Sequence, residues 1–198
     1  MYKFDRLHIS TCAPGVLHCQ LNRPDKLNAF DPAMWSDIRT FFAMVESDPA
    51  VRCILLSGSG RVFTAGLDLS SASTGNPLVS DGTEEAARRG LRIRATGKQW
   101  QASFTNIASC GKPVVACVHS ACIGAGIEML SACDVRFCSA DAFFVMAEVD
   151  VALAADVGGL QRFPKIVGND SLVSPALVID RWAFDRPAVT VPCPHDQT

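Results

Sequence analysis

Apolar and polar positions change their spacing several times along the chain, and each change predicts an element. Residues 3–21 alternate with a period of two around a Pro14-Gly15 turn, which predicts a β-hairpin. Over residues 31–47 the period lengthens, and Met34, Ile38, Phe41, Phe42 and Val45 fall on one face of a helix. Asp31 stands at its N-cap, and Pro32 suits the first helical position. The run VRCILLS at 51–57 reads as a short buried strand, followed by a loop punctuated by Gly58, Gly60 and Gly66.

The second half continues the alternation. Residues 71–83 are rich in Ser, Thr, Gly and Pro and read as a mobile excursion. Residues 84–108 predict a helix with Leu91, Ala95, Trp100, Phe104 and Ile107 on its apolar side. Pro113 opens VVACVHS, another buried-type strand; Gly124 and Gly126 follow, and IEMLSACD begins a helix. Residues 135–138 and 143–145 are two more short strands. Strands and helices in alternation predict a layered α/β fold. From residue 174 the segment SPALVIDRWAFDRPAVTVPCPHDQT carries four prolines and no amphipathic period. One domain over residues 1–173 and a divergent Pro-rich tail over 174–198 follow from that change.

Composition narrows the partners. Of 198 residues, 48% are hydrophobic and 19% charged, enough for a sizeable core. A net charge of -2 argues against a nucleic-acid partner. Arg88, Arg89, Arg92, Arg94 and Lys98 form a local basic run: a solvated helix face, or a contact for an anionic ligand such as a nucleotide phosphate. Nine cysteines occur without a CxxC pair, and Cys53, Cys117, Cys133 and Cys138 lie in apolar runs. They read as buried reduced thiols, with no metal set expected. No apolar stretch is long enough to span a bilayer. Neither the opening MYKFDRLHIS nor the closing HDQT matches a targeting signal.

Three segments carry candidate chemistry. In RVFTAGLDLS at 61–70 a strand runs into Gly66, whose turn can leave the Leu67 N–H free for a ligand, or can be only a turn. In HSACIGAGIEMLSACD at 119–134 a glycine-rich turn opens a helix, and the Ala125 N–H there favours developing negative charge. A nucleotide-binding turn or close packing would show the same spacing. Glu128 lies in that helix's first turn, as dipole compensation or as a catalytic group. In AEVDVALAADVGGLQRFP at 147–164, Glu148 and Asp156 stand among Val, Ala and Leu. Burial there would raise their pKa values and suit them to proton transfer, unless they reach solvent or pair with Arg162.

The order of these segments resembles the crotonase (enoyl-CoA hydratase/isomerase) family. LNRPDKLNAF at 21–30 resembles its first-helix lead-in, FTAGLDL at 63–69 its first oxyanion-hole loop, and CIGAGIEMLSACDVRFCSADAFF at 122–144 its second loop and helix. The resemblance covers residues 3–173 and, through AEVDVALAADVGGLQRFPKIVGNDSLV, is strongest to the dienoyl-CoA isomerase branch. It implies a spiral of ββα units with the C-terminal helical region truncated, and an acyl-CoA substrate with no cofactor. It also implies a homotrimer or hexamer, and a peroxisomal or mitochondrial setting in fatty-acid β-oxidation. It puts Leu67 and Ala125 in the oxyanion hole and makes Glu148, Asp156 and Glu128 the catalytic carboxylates. Lys26, Leu27, Ala65, Gly66, Asp68, Leu69, Ser70 and Gly126 fall on substrate- or CoA-binding positions. The branch commonly has Asp where this chain has Glu128, and hydratases have Glu. Ala125 replaces a usual Gly, and Ser120 and Ala121 replace further glycines. Enoyl-CoA hydratase and a truncated, non-catalytic acyl-CoA-binding chain are the alternatives.

Overall fold

The computed structural model describes residues 2–70, 84–151 and 153–167. The segment 71–83 and the tail 174–198 lie outside the described residues. The hairpin forms as its alternation predicts, from β1 (Leu7–Ala13) and β2 (Val16–Leu21), with Gly15 at φ +77° in the turn. Helix α1 (Pro32–Glu46) follows a one-turn 3-10 helix at Pro24–Lys26. Asp31 caps α1 by accepting the Met34 N–H at 2.8 Å, and all five apolar positions read from the sequence are buried.

Next come β3 (Cys53–Gly58), α2 (Ala86–Ser109), β4 (Val114–Val118), β5 (Ala121–Ile123), α3 (Ala125–Ser131), β6 (Val135–Cys138) and β7 (Phe143–Val145). Two short helices close the described chain, α4 (Gly159–Arg162) and α5 (Pro164–Val167). A five-stranded sheet runs in the order β1-β2-β3-β4-β6, antiparallel at the hairpin and parallel thereafter, while β5 and β7 pair in a second, parallel sheet. Parallel neighbours need crossovers, which α1, α2 and the β5–α3 unit supply. This is the α/β spiral expected.

The core lies between the main sheet and the two long helices. Ile54 and Leu56 of β3 and Val114, Ala116 and Val118 of β4 face it, alternating with half-buried residues, so these strands bury one face fully rather than two. Phe30, Trp35 and Phe104 fill the helix side, and Trp35 stacks on Trp100 of α2 at 5.0 Å.

Two expectations need correction. Leu91 and Ala95 do not bury: Leu91 is 66% exposed, and a Cβ added at Gly90 or Gly97 would meet nothing within 4 Å. Among the described residues the first half of α2 therefore meets no neighbour that would receive an apolar side, and its basic run carries the Arg92–Glu84 ion pair at 2.7 Å. Residues 61–66 form no strand, only a single bridge between Thr64 and Cys122. None of the described cysteines is in a disulfide; Cys133 is buried, whereas Cys53, Cys117 and Cys138 are half-buried. Among the described residues no helix is long and apolar enough to cross a membrane.

Candidate active site

Two loops meet where the small second sheet touches the main body. The first is held from behind by Asn28, whose Nδ2 donates to the carbonyls of Ser59 (2.7 Å), Val62 and Phe63 (both 3.1 Å). Phe30 then bridges to Leu67 in parallel fashion: its N–H donates to Gly66 O at 2.7 Å and its carbonyl accepts from Asp68 N at 3.2 Å. In such a bridge the opposed residue's own N–H points away, so the Leu67 amide is left unclaimed by the pairing.

The second loop lies against the first through the Thr64–Cys122 bridge, with Ile123 N donating to Thr64 O at 3.1 Å. Gly124, at φ +51°, donates to Val145 O and accepts from Ile127 N, and α3 starts at Ala125. As the first helical residue, Ala125 has no intrahelical acceptor for its N–H. The loops touch at Gly66, at φ +82°: a Cβ there would lie 2.7 Å from Ile123 O and 3.6 Å from Ala125 N. The structure thus brings the two loops into contact and puts Leu67 and Ala125 on the border of one cleft.

The cleft, apolar and partly open to solvent, lies in front of them. Leu67, Leu69, Trp35, Trp100, Val151 and Leu153 form much of its wall, with Glu128, Glu148 and Asp156 among the lining residues. Glu128 is 2% exposed, and its Oε1 accepts the N–H groups of Val157 and Gly159, both at 3.0 Å. Burial first, and then the nearby Glu148 carboxylate, push its pKa up to about 8. Both carboxyl oxygens of Glu148 are buried without a hydrogen-bond partner among the described residues. Oε1 of Glu148 would be 3.3 Å from a Cβ at Gly124, so the glycine leaves it room. Burial and then Asp156 raise the Glu148 pKa.

Asp156 departs from the expectation of a sheltered acid. It is exposed, because the turn buries Ala155 and Val157 and sends the residue between them outward. It still borders the cleft, and its charge raises the pKa of both glutamates. Arg162 forms no ion pair with these acids; its Nη2 donates to Thr105 Oγ1 at 3.2 Å.

The remaining positions mostly build the loops. Lys26 is exposed, Leu27 accepts from Ala65 N at 2.9 Å, and Asp68 pairs with Arg23 at 2.6 Å. Burial works against the ionised Asp68, yet hydrogen bonds from Arg23 and Ser70 hold its pKa below the ordinary carboxylate value. Ser70 N donates to Asp68 Oδ1, and a Cβ on Gly126 would collide with Thr64 Cγ2. Leu69, 53% exposed, is the member of this set that lines the cleft. Asn28, Arg23, Trp35 and Gln101 were not singled out by the sequence pattern. Asn28 carries one local clue, a φ of +53° of the kind Asn tolerates; the others act through partners far along the chain.

The family described as enoyl-CoA hydratase/isomerase matches residues 11–176 of the chain. The mitochondrial Delta(3,5)-Delta(2,4)-dienoyl-CoA isomerase of Mus musculus is 42% identical over 173 residues, covering 87% of this chain and 52% of that protein. The peroxisomal Delta(3,5)-Delta(2,4)-dienoyl-CoA isomerase of Arabidopsis thaliana is 40% identical over 169 residues, covering 85% and 60%. An enoyl-CoA hydratase from Mycobacterium avium subsp. paratuberculosis K-10 superposes with a TM-score of 0.74 at 25% identity, covering 91% of this chain and 63% of that one. The chain spans about half the length of the mouse relative, at 52%.

Proposed function

The chain belongs to the enoyl-CoA hydratase/isomerase family, and on that premise we propose that it isomerises 3,5-dienoyl-CoA to 2,4-dienoyl-CoA. One observation carries the reading: one apolar cleft is bordered by Leu67 and Ala125, whose amides are left unclaimed, and by the acidic residues Glu148 and Asp156. The C2 proton of a thioester is only modestly acidic. The amides of Leu67 and Ala125 hydrogen-bond the thioester oxygen as it gains enolate charge, a term worth about 10²–10³ in rate per donor. Glu148 takes the C2 proton; its burial without partners supports the role of base. The electron pair moves along the conjugated chain, and Asp156, starting in its protonated form, gives its proton to C6; the 2,4-diene leaves with Glu148 protonated and Asp156 ionised, and a proton passes back to Asp156 before the next turnover.

Glu128 anchors the turn that carries Asp156, and the nearby Glu148 carboxylate helps to keep it protonated. Backbone groups at 65–70, with Lys26 and Leu27, hold the CoA end. The chemistry needs no cofactor. Mitochondrial and peroxisomal relatives support placing the protein in one of those organelles, and the family supports a homotrimer or hexamer.

Hydration of a 2-enoyl-CoA is a second reading, supported by Glu128 and Glu148 lining one cleft with raised pKa values. Purified protein given 3,5-dienoyl-CoA should gain the absorbance of the 2,4-diene and leave 2-enoyl-CoA unchanged. Loss of 2-enoyl absorbance without diene formation establishes the hydratase instead. Turnover of neither, with acyl-CoA still bound, leaves a non-catalytic binding protein.

A further inference from the structure

Asp156 borders the cleft but is not fixed by packing around its own side chain, so something else must set its position. From inside, Glu128 takes the N–H groups on either side of Gly158, which sits at φ +117°. From outside, Gln101 of α2 donates from Nε2 to the main-chain carbonyl of Asp156 itself, at 2.9 Å. One turn further along the same helix face, Thr105 accepts from Arg162 at 3.2 Å. Between these two ties lies a hollow open to solvent, bordered by Gln101, Thr105, Asp156 and Arg162. The buried Ala155 and Val157 and the two Glu128 bonds hold the inner side of the turn, whereas among the described residues these two hydrogen bonds to α2 tie its outer side.

We propose that Gln101 is a positioning residue for Asp156: by tethering that residue's carbonyl to α2 it sets the C6 proton transfer and leaves the C2 step alone. The separation follows from the architecture. Glu148 comes off the end of β7 and rests against Gly124, and the Leu67 and Ala125 amides belong to the two meeting loops. None of these hangs on the Gln101 bond. The inference rests on the isomerase reading given above, since only that reaction asks Asp156 for a proton.

The test uses the full chain with Gln101→Met, which keeps length and removes the donor, and Gln99→Met as a control on the same exposed stretch of helix. Three quantities are read: exchange of the C2 hydrogen of 3,5-dienoyl-CoA in heavy water, formation of the 2,4-diene, and amide hydrogen exchange over residues 154–163. For Gln101→Met the expected result is diene formation at saturating substrate down about tenfold, the scale of one lost hydrogen bond. C2 exchange and KM should stay within about twofold, and amide exchange in the turn should rise. Gln99→Met should match the parent in all three. An equal fall in C2 exchange and diene formation overturns the proposal, as does unchanged diene formation or unchanged amide exchange in the turn. A parent enzyme that exchanges C2 hydrogen yet never forms the diene overturns the isomerase reading and with it the catalytic half of the proposal. The amide exchange then still decides the tether.

Discussion

Oε1 of Glu128 accepts the main-chain N–H of Gly159 at 3.0 Å, and the contact leaves no space for a side chain there. A Cβ added to Gly159 would lie 2.8 Å from Glu128 Cγ and 2.9 Å from that oxygen. With the second bond from Val157, the carboxyl of α3 ties down the turn that carries Asp156. An acid on one element thus locates an acid on another.

The charge on Glu128 makes stability depend on pH. Its folded pKa, about 8, exceeds its ordinary value of 4.5, because burial first and Glu148 second disfavour the anion. A carboxyl that keeps its proton longer when folded contributes stability that is complete below about 4.5 and is lost as pH rises through about 8. Urea unfolding at pH 5 and at pH 8.5 should therefore differ by about 1–3 kcal/mol, with the more alkaline sample weaker. Glu128→Gln keeps a neutral acceptor for the two amides. It should flatten the curve and outlast the parent at pH 8.5. Equal slopes for the two proteins would show that Glu128 does not carry the dependence.

Glu148 and Asp156 separate by what each variant leaves behind. Glu148→Gln should lower both C2 hydrogen exchange and diene formation, by about 10²–10⁴, since the base serves both. Asp156→Asn should keep C2 exchange and lose diene formation. The alkaline-rising limb of the exchange rate reports the Glu148 base, whose pKa is raised by burial and by Asp156. Removing the Asp156 charge should move that limb to lower pH. A limb that stays put, or moves up, would deny the coupling between them.

What the sequence could reveal was set by how local each cause is. Asp31 and Pro32 announce α1 because cap and first turn are neighbours in the chain, and all five periodic positions do reach the core. Gly66 and Gly124 mark the two loops because a positive φ leaves its trace in residue type. Periodicity says which residues share a face but not what stands opposite, so Leu91 and Ala95 read as core and lie in solvent. Asp156 misled in the same way: its apolar neighbours in sequence turn inward and leave it outside. Gln101, 55 positions away, carries no mark of the carbonyl it holds.

Gly66 is the point where the two amide-bearing loops touch. Gly66→Ala combines a φ of +82° with a Cβ 2.7 Å from Ile123 O, a main-chain atom that cannot rotate aside. The strained backbone alone costs about 1–3 kcal/mol, and relief of the clash must push the loops apart. Diene formation should fall by about 10² or more, beyond what the loss of folded protein explains, because the amides no longer converge. Acyl-CoA binding, read by calorimetry, should weaken less. Full activity in folded Gly66→Ala protein would mean that the loop contact does not align the donors.

Asn28 tests the scaffold behind those loops. It is fully buried, its amide nitrogen serves three carbonyls, and its Oδ1 accepts the Arg23 N–H at 2.9 Å. Its φ of +53° is one that Asn adopts more readily than most residues. Asn28→Ala leaves buried main-chain groups unpaired, at about 1–3 kcal/mol each, so a total loss near or above 3 kcal/mol is expected in urea unfolding. Asn28→Asp conserves shape but turns a carboxylate toward oxygens that want a donor. At neutral pH it should be the weaker of the two variants. Its introduced carboxyl gains from protonation in the fold, so its deficit relative to Asn28→Ala should shrink as pH falls toward 5. If Asn28→Asp matched the parent at neutral pH, the donor role of the amide nitrogen would be wrong. The loop from 59 to 64 would then owe its place to packing around Phe63, which is itself fully buried.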